Sequence, residues 1–223
     1  LMARMKSNGN ADTSITSNTR LKQLLINRAR IVKNASGKVP LAINLLLKEY
    51  VGGQSWIIYC DNIMQLKKVL NEAIDAGFDA FEYYADMEGD RDETLRYFSK
   101  NGGVLVSIKC LDEGVDIPST THALILASSQ NPREFIQRRG RILRSSPGKL
   151  FAHLYDAITV PVVETEETPK SMSIIIGELS RAIEFGLGAE NPACVTDLKN
   201  IAVDYQIDYN SLQNTGIEED DND

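Results

Sequence analysis

Apolar residues along this chain change period several times, and the changes mark out its elements. Leu21, Leu24, Leu25, Arg28 and Ile31 recur at the spacing of one helical face between Thr19 and about Ile31. Asn34-Ala35-Ser36-Gly37 interrupts that pattern. Pro40 then opens a second helix with Leu41, Leu45, Leu46 and Tyr50 on one side, and Gly52-Gly53 ends it. Trp56-Ile57-Ile58-Tyr59-Cys60 is a continuous apolar run, as expected of a parallel strand buried on both faces. Asp61 or Asn62 caps a helix from about Ile63 to Ala76, stopped by Gly77. Ala80–Tyr84 reads as strand, and Asp90 or Asp92 starts a helix through Phe98 that closes at Asn101-Gly102-Gly103. Val104–Ile108, Ala123–Ala127 and Leu150–Tyr155 read as further strands, with a short helix at Pro132–Arg139.

This βαβα alternation predicts an α/β fold, a parallel sheet with helices on both faces, carrying N-terminal and C-terminal helical extensions. Residues 1–18 are polar and read as disordered or a tag remnant, and a start at Leu1 just before a Met looks like an excised fragment. Residues 19–53 form the N-terminal helical segment, 54–160 the α/β domain, and 161–212 the C-terminal helical extension. Within that extension, an acidic, Pro-bounded linker precedes a helix over Lys170–Phe185. A second helix starts near Asn191-Pro192. Residues 213–223 read as an acidic disordered tail.

Composition narrows the class. A hydrophobic fraction of 43% and a charged fraction of 25% are ordinary for a globular protein. No apolar run approaches the roughly 20 residues that span a bilayer, and the start lacks a signal-peptide core, so no membrane partner is expected. Cys60, Cys110 and Cys194 are widely spaced, which points to reduced thiols in a cytoplasmic protein and to no metal site. The net charge of −7 is uneven: residues 1–60 carry +7, leaving −14 for the remainder. Local basic surface governs nucleic-acid affinity, so the acidic total excludes nothing.

Two segments carry the chemistry. Gln137-Arg138-Arg139-Gly140-Arg141-Ile142-Leu143-Arg144 sets four arginines beside a glycine that lets the backbone turn. Planar, permanently charged guanidinium groups can neutralise charge gathering on the γ-phosphoryl oxygens of a triphosphate. Lys109-Cys110-Leu111-Asp112-Glu113-Gly114-Val115-Asp116-Ile117-Pro118 follows the Val104–Ile108 strand directly. In parallel sheets such loops, at the carboxyl ends of strands, gather functional residues. Taken alone, the second segment also reads as a structural turn capped by Asp116.

In this order and about twenty residues apart, the two segments resemble motifs V and VI of the second helicase superfamily. Trp56–Cys60 with Asp61 resembles that family's motif IV strand. Tyr83-Tyr84-Ala85-Asp86-Met87 is similar to the next nucleic-acid-contacting segment, and Ser128–Pro132 occupies the loop before motif VI. The resemblance covers about residues 54–157 and implies a RecA-like C-terminal half of a DEAD/DEAH-type motor. It implies Arg141 and Arg144 as catalytic arginine fingers, and Gly114, Asp116, Gln137 and Arg138 as ATP-binding and interdomain residues. Asp61, Tyr84, Ser107 and Lys109 would contact nucleic acid. L-D-E-G-V-D-I-P and Q-R-R-G-R-I-L-R look closer to DNA translocases of type III restriction and bacterial DNA-repair systems than to RNA-acting DEAD-box enzymes. Those usually carry a threonine where Ile108 stands and a histidine where Gln137 stands. DNA is therefore the expected partner, with RNA less favoured.

No G-x-x-x-x-G-K-[ST] loop occurs, and Asp112-Glu113 lies inside the motif V loop rather than in a magnesium-binding pair. ATP and Mg2+ are thus expected in the full-length enzyme, held by an N-terminal RecA-like domain of the same parent polypeptide. This chain alone is expected to bind neither tightly and to be inactive. The alternatives are a non-catalytic RecA-like binding or regulatory module and an RNA helicase fragment.

Overall fold

A computed structural model describes residues 9–108, 120–127, 149–160, 172–191, 193–208, 210 and 212, with side chains from Thr19 onward. Strand β1 (Ser55–Cys60) is buried along its whole length, and its two faces feed two different cores. It lies at the centre of a five-stranded sheet of order β2-β3-β1-β4-β5. The other strands are β2 (Ala80–Tyr83), β3 (Gly103–Ile108), β4 (His122–Ile125) and β5 (His153–Asp156). Every pairing is parallel.

Parallel neighbours need crossovers, and helices α3 (Ile63–Asp75) and α4 (Arg91–Asn101) supply two of them on opposite faces. One core joins Trp56, Ile58 and Cys60 to Val104, Val106, Leu124 and Leu126. Leu66, Val69 and Ala73 of α3 and Val39, Ala42 and Leu46 of α2 (Lys38–Glu49) cover it. The other joins Ile57, Tyr59, Leu105, Ala123 and Ile125 beneath Phe98 of α4. Period-two alternation along one strand therefore fills both layers, which is why the strands read as unbroken apolar runs. The expected α/β architecture with helices on both faces is what the chain adopts.

Helix ends follow from their capping residues. The Asn62 side chain accepts from the Gln65 amide at 3.0 Å, and Asp90 Oδ1 accepts from the amides of Asp92 (2.8 Å) and Glu93 (3.1 Å). Gly102 and Gly103 end α4 and begin β3 with φ of +76° and +109°, which L side chains rarely adopt. The space is closed as well. A Cβ at Gly102 would lie 2.7 Å from the Gln54 carbonyl oxygen, and one at Gly103 would lie 2.6 Å from that of Asp79.

The structure shifts some expected elements. Helix α2 begins at Lys38, because Pro40 is only its third residue and the N–H it lacks has no intrahelical acceptor in that turn. Its buried side chains are Lys38, Val39, Ala42 and Leu46, while Leu41, expected on that face, is exposed. Strand β5 starts at His153 rather than Leu150, and Leu150 and Phe151 are exposed. The short helix expected at Pro132–Arg139 lies outside the described residues.

Helix α1 (Gly9–Lys33) precedes the sheet, and α5 (Met172–Leu187) and α6 (Ala193–Asp204) follow it. The last two share a third core of Ile175, Leu179, Ile183, Ala202, Ile207 and Leu212. Helix α1 presents Leu21, Leu24, Leu25 and Ile31 to solvent. Near its carboxyl end it is tied down by polar contacts, Arg28 Nη2 donating to Ser173 Oγ at 2.7 Å and Thr159 Oγ1 to the Val32 carbonyl at 3.1 Å. No helix among the described residues is long and apolar enough to cross a membrane.

Candidate nucleotide and nucleic-acid edge

The carboxyl ends of the strands bring three of the anticipated site residues onto one edge. Tyr59, Ser107 and Tyr83 are register partners across β1, β3 and β2, so Asp61 and Tyr84 sit one or two residues beyond that shared level. Lys109, Gly114, Asp116, Gln137, Arg138, Arg141 and Arg144 lie outside the described residues.

The three described positions are in different states. The Asp61 carboxylate accepts from Asn34 Nδ2 at 2.9 Å and from Asn62 Nδ2 at 3.3 Å, and Lys33 Nζ lies 3.6 Å away. Its own amide donates to Gln65 Oε1 at 2.8 Å, and Gln65 Nε2 donates to the Lys33 carbonyl at 3.0 Å. In this state Asp61 fastens the turn between α1 and α2 to the end of β1. Tyr84 lies beside the Lys67 ammonium, 5.9 Å from its ring centroid, within the reach of a cation–π contact. That ammonium is also 2.5 Å from Glu82 Oε2, whose hydrogen bond raises the Lys67 pKa.

Ser107 differs from both. It is fully buried, and its hydroxyl has no hydrogen-bond partner among the described residues. Burying a polar group without a partner costs about 1–3 kcal/mol. The Ser107 hydroxyl lies at the level where strands β1 and β2 carry Tyr59 and Tyr83. The Tyr83 hydroxyl accepts from Arg91 Nη2 at 3.0 Å, and the guanidinium carbon lies 4.9 Å from the Tyr83 ring.

Residues 37–146 match the family described as helicase conserved C-terminal domain. This segment is a helicase C-terminal domain. Among solved structures, the C-terminal domain of the DEAD-box protein Dbp5 superposes on it with a TM-score of 0.51 at 17% identity. The match covers 76% of this chain and 93% of that one, and it establishes a shared RecA-like fold. A Methanocaldococcus jannaschii protein named provisionally as an ATP-dependent RNA helicase is 32% identical over 103 residues, covering 43% of this chain and 13% of the relative. The DNA 3'-5' translocase XPB2 of Sulfurisphaera tokodaii is 40% identical over 63 residues, covering 27% of this chain and 14% of the relative. The aligned parts thus span about one-seventh of these relatives' lengths.

The chain also holds buried charges that the apolar pattern does not reveal. Lys38 is 4% exposed, and its Nζ donates to the Leu126 carbonyl at 2.5 Å. Burial lowers its pKa, while the carboxylates of Glu178 and Asp156 oppose that shift. Arg181 of α5 pairs with Asp156 at the end of β5, and its Nη2 donates to Glu178 Oε2 at 3.1 Å. The Thr159 amide donates to the same Glu178 oxygen at 3.0 Å. Glu178 and Arg181 stand one helical turn apart on the buried side of α5, a spacing that could have raised suspicion. Among the described residues, no three His, Cys, Asp or Glu side chains gather to hold a metal ion.

Proposed function

We propose that this chain is the second motor domain of an ATP-dependent DNA helicase or translocase. Residues 54–160 form the RecA-like unit, with residues 19–53 and 161–212 as its helical extensions. The observation that carries the reading is Gln137-Arg138-Arg139-Gly140-Arg141-Ile142-Leu143-Arg144 inside the helicase C-terminal segment. Arg141 and Arg144 reach the phosphates of ATP bound by the first RecA-like domain, where two guanidinium groups neutralise transition-state charge. Gln137 and Arg138 organise the contact between the halves, and Gly114 with Asp116 faces the ribose. Mg2+ is held by the first domain together with ATP. The chain alone does not hydrolyse ATP.

Asp61, Tyr84, Ser107 and Lys109 hold one strand's backbone along the carboxyl edge, so closure around ATP and release after hydrolysis step the two halves along it. DNA is favoured over RNA by the wording of the two motifs and by the likeness to a DNA translocase. RNA is the second reading, favoured by the likeness to a protein named for RNA helicase activity.

The test uses the full-length parent protein. Arg141→Ala and Arg144→Ala are each expected to lower nucleic-acid-stimulated ATP hydrolysis on the order of a thousandfold with ATP affinity nearly unchanged. Wild-type turnover in both variants removes the finger assignment. Stimulation by a DNA oligonucleotide but not by RNA of the same sequence is expected, and the reverse selects RNA.

A further inference from the structure

The buried charges beneath the ends of β4 and β5 belong to segments far apart in sequence. Lys38 stands in the first turn of α2, at the start of the family-matched segment, whereas Asp156, Glu178 and Arg181 lie beyond its end. The set holds two cations and two carboxylates, each less than a tenth exposed. A buried ammonium is expensive to desolvate, and apolar residues of similar volume are often as good or better for stability. What the buried lysine does here must therefore be read from the bond it makes.

Its contact identifies the task. Leu126 follows β4 directly and precedes residues 128–148, which carry the arginine segment, by two positions. The amides of Leu126 and Ala127 donate to the Tyr59 carbonyl at 3.0 and 3.3 Å, and Lys38 Nζ takes the Leu126 carbonyl. The end of β4 is thus held from the neighbouring strand through its N–H groups and from α2 through its C=O. Arg181, Glu178 and Asp156 complete the charge balance around the ammonium, and they bind α5 into the same arrangement.

We propose that Lys38 is a positioning residue for ATP hydrolysis, fixing the strand end from which the arginine segment departs. The C-terminal extension maintains it through Glu178 and Arg181. This rests on the motor reading given above.

Two variants of the full-length parent test it, Lys38→Met and the charge-balanced pair Lys38→Met/Glu178→Gln. Both are expected to lower the kcat of nucleic-acid-stimulated ATP hydrolysis at least tenfold with KM for ATP within twofold. Lys38→Arg, which keeps a donor, should recover most of the loss. Faster hydrogen exchange at the Leu126 and Ala127 amides should accompany the loss in the Met variants, with exchange in α3 unchanged. Recovery of kcat in the charge-balanced pair overturns the inference, because charge balance and not the carbonyl contact would then be what matters. Unchanged kcat and unchanged exchange overturn it as well, while a wild-type parent that still hydrolyses ATP leaves the motor reading standing. A wild-type parent with no stimulated hydrolysis instead removes the motor reading and the kinetic claim together, and the exchange measurement still decides whether Lys38 holds the strand end.

Discussion

The two ends of the sheet are closed by different means. At the amino end, backbone bonds bridge all four gaps between neighbouring strands: Val104 N to Asp79 O, Gly103 N to Gln54 O, Thr121 N to Ser55 O, and His153 N to Thr121 O, all at 2.8–3.0 Å. Rings then stack across three strands. Trp56 and His122 lie 4.5 Å apart, His122 and His153 4.6 Å, and Trp56 and Tyr155 5.5 Å, all within 11° of parallel. At the carboxyl end, side chains borrowed from α2, α5 and the turn after α1 do the closing. Each end keeps one buried hydroxyl with no partner among the described residues, Thr120 at the amino end and Ser107 at the carboxyl end. One end is optimised for packing. The other is closed by charged and polar side chains from the flanking helices.

The largest effect should come from forcing a side chain into the amino end. Gly103→Ala places a Cβ against the Asp79 carbonyl at a positive φ, so the Val104–Asp79 bond between β3 and β2 must give way. Backbone strain and a lost ladder bond together predict a loss of about 3–4 kcal/mol, measured as a lower urea midpoint. An unchanged midpoint would show that the amino end tolerates movement and would break the contrast. Phe98→Ala, which empties the core under α4 without touching either end, should cost about 3–4 kcal/mol and supplies the reference for a pure packing loss.

Acid titration probes the same end more gently. Burial, with His153 stacked beside it, pushes the His122 pKa down to about 4 from an ordinary 6.5, against a smaller opposing pull from Glu49. The folded state thus binds fewer protons than the unfolded chain between those values. The stability tied to neutral His122 is complete above pH 6.5 and is lost as pH falls towards 4, with a slope of at most about 1.4 kcal/mol per pH unit. His122→Phe keeps a ring in the stack and removes the titration, so its midpoint should fall less than that of the wild type between pH 6.5 and 4. Parallel curves for the two proteins would mean that His122 takes up its proton without disturbing the stack.

How far this contrast could be read in advance depends on the range of the interactions. Strands β1 and β3 were legible because a strand buried on both faces writes its burial into consecutive residues. Asn62 and Asp90 announced helix starts because capping acts over two or three residues. Three of the expected nucleic-acid residues, Asp61, Tyr84 and Ser107, could be placed on one edge because they end strands whose order the crossovers restrict. The Lys38 cluster was not legible. Its bonds join residues 88 apart for Lys38 and Leu126, and 25 apart for Arg181 and Asp156, and a lysine beginning a helix carries no local sign of burial. The buried face of α2 was misjudged at Leu41 for the same reason: Lys38 points inward and turns the helix with it.

The smallest effect has the opposite sign and is therefore the sharpest test of the contrast. Ser107→Ala removes a buried hydroxyl with no partner among the described residues and leaves a methyl that fits the same space. Gly103→Ala at the amino end lowers stability, but this substitution should raise it by about 0.5–1 kcal/mol, seen as a higher urea midpoint with an unchanged slope. The same change in the full-length parent should weaken binding of a single-stranded oligonucleotide roughly threefold to tenfold, the worth of one hydrogen bond to a phosphate or sugar oxygen. Gain in stability with loss of binding is what a group held in reserve for a ligand must show. A loss of stability would mean that Ser107 already has a partner within the fold.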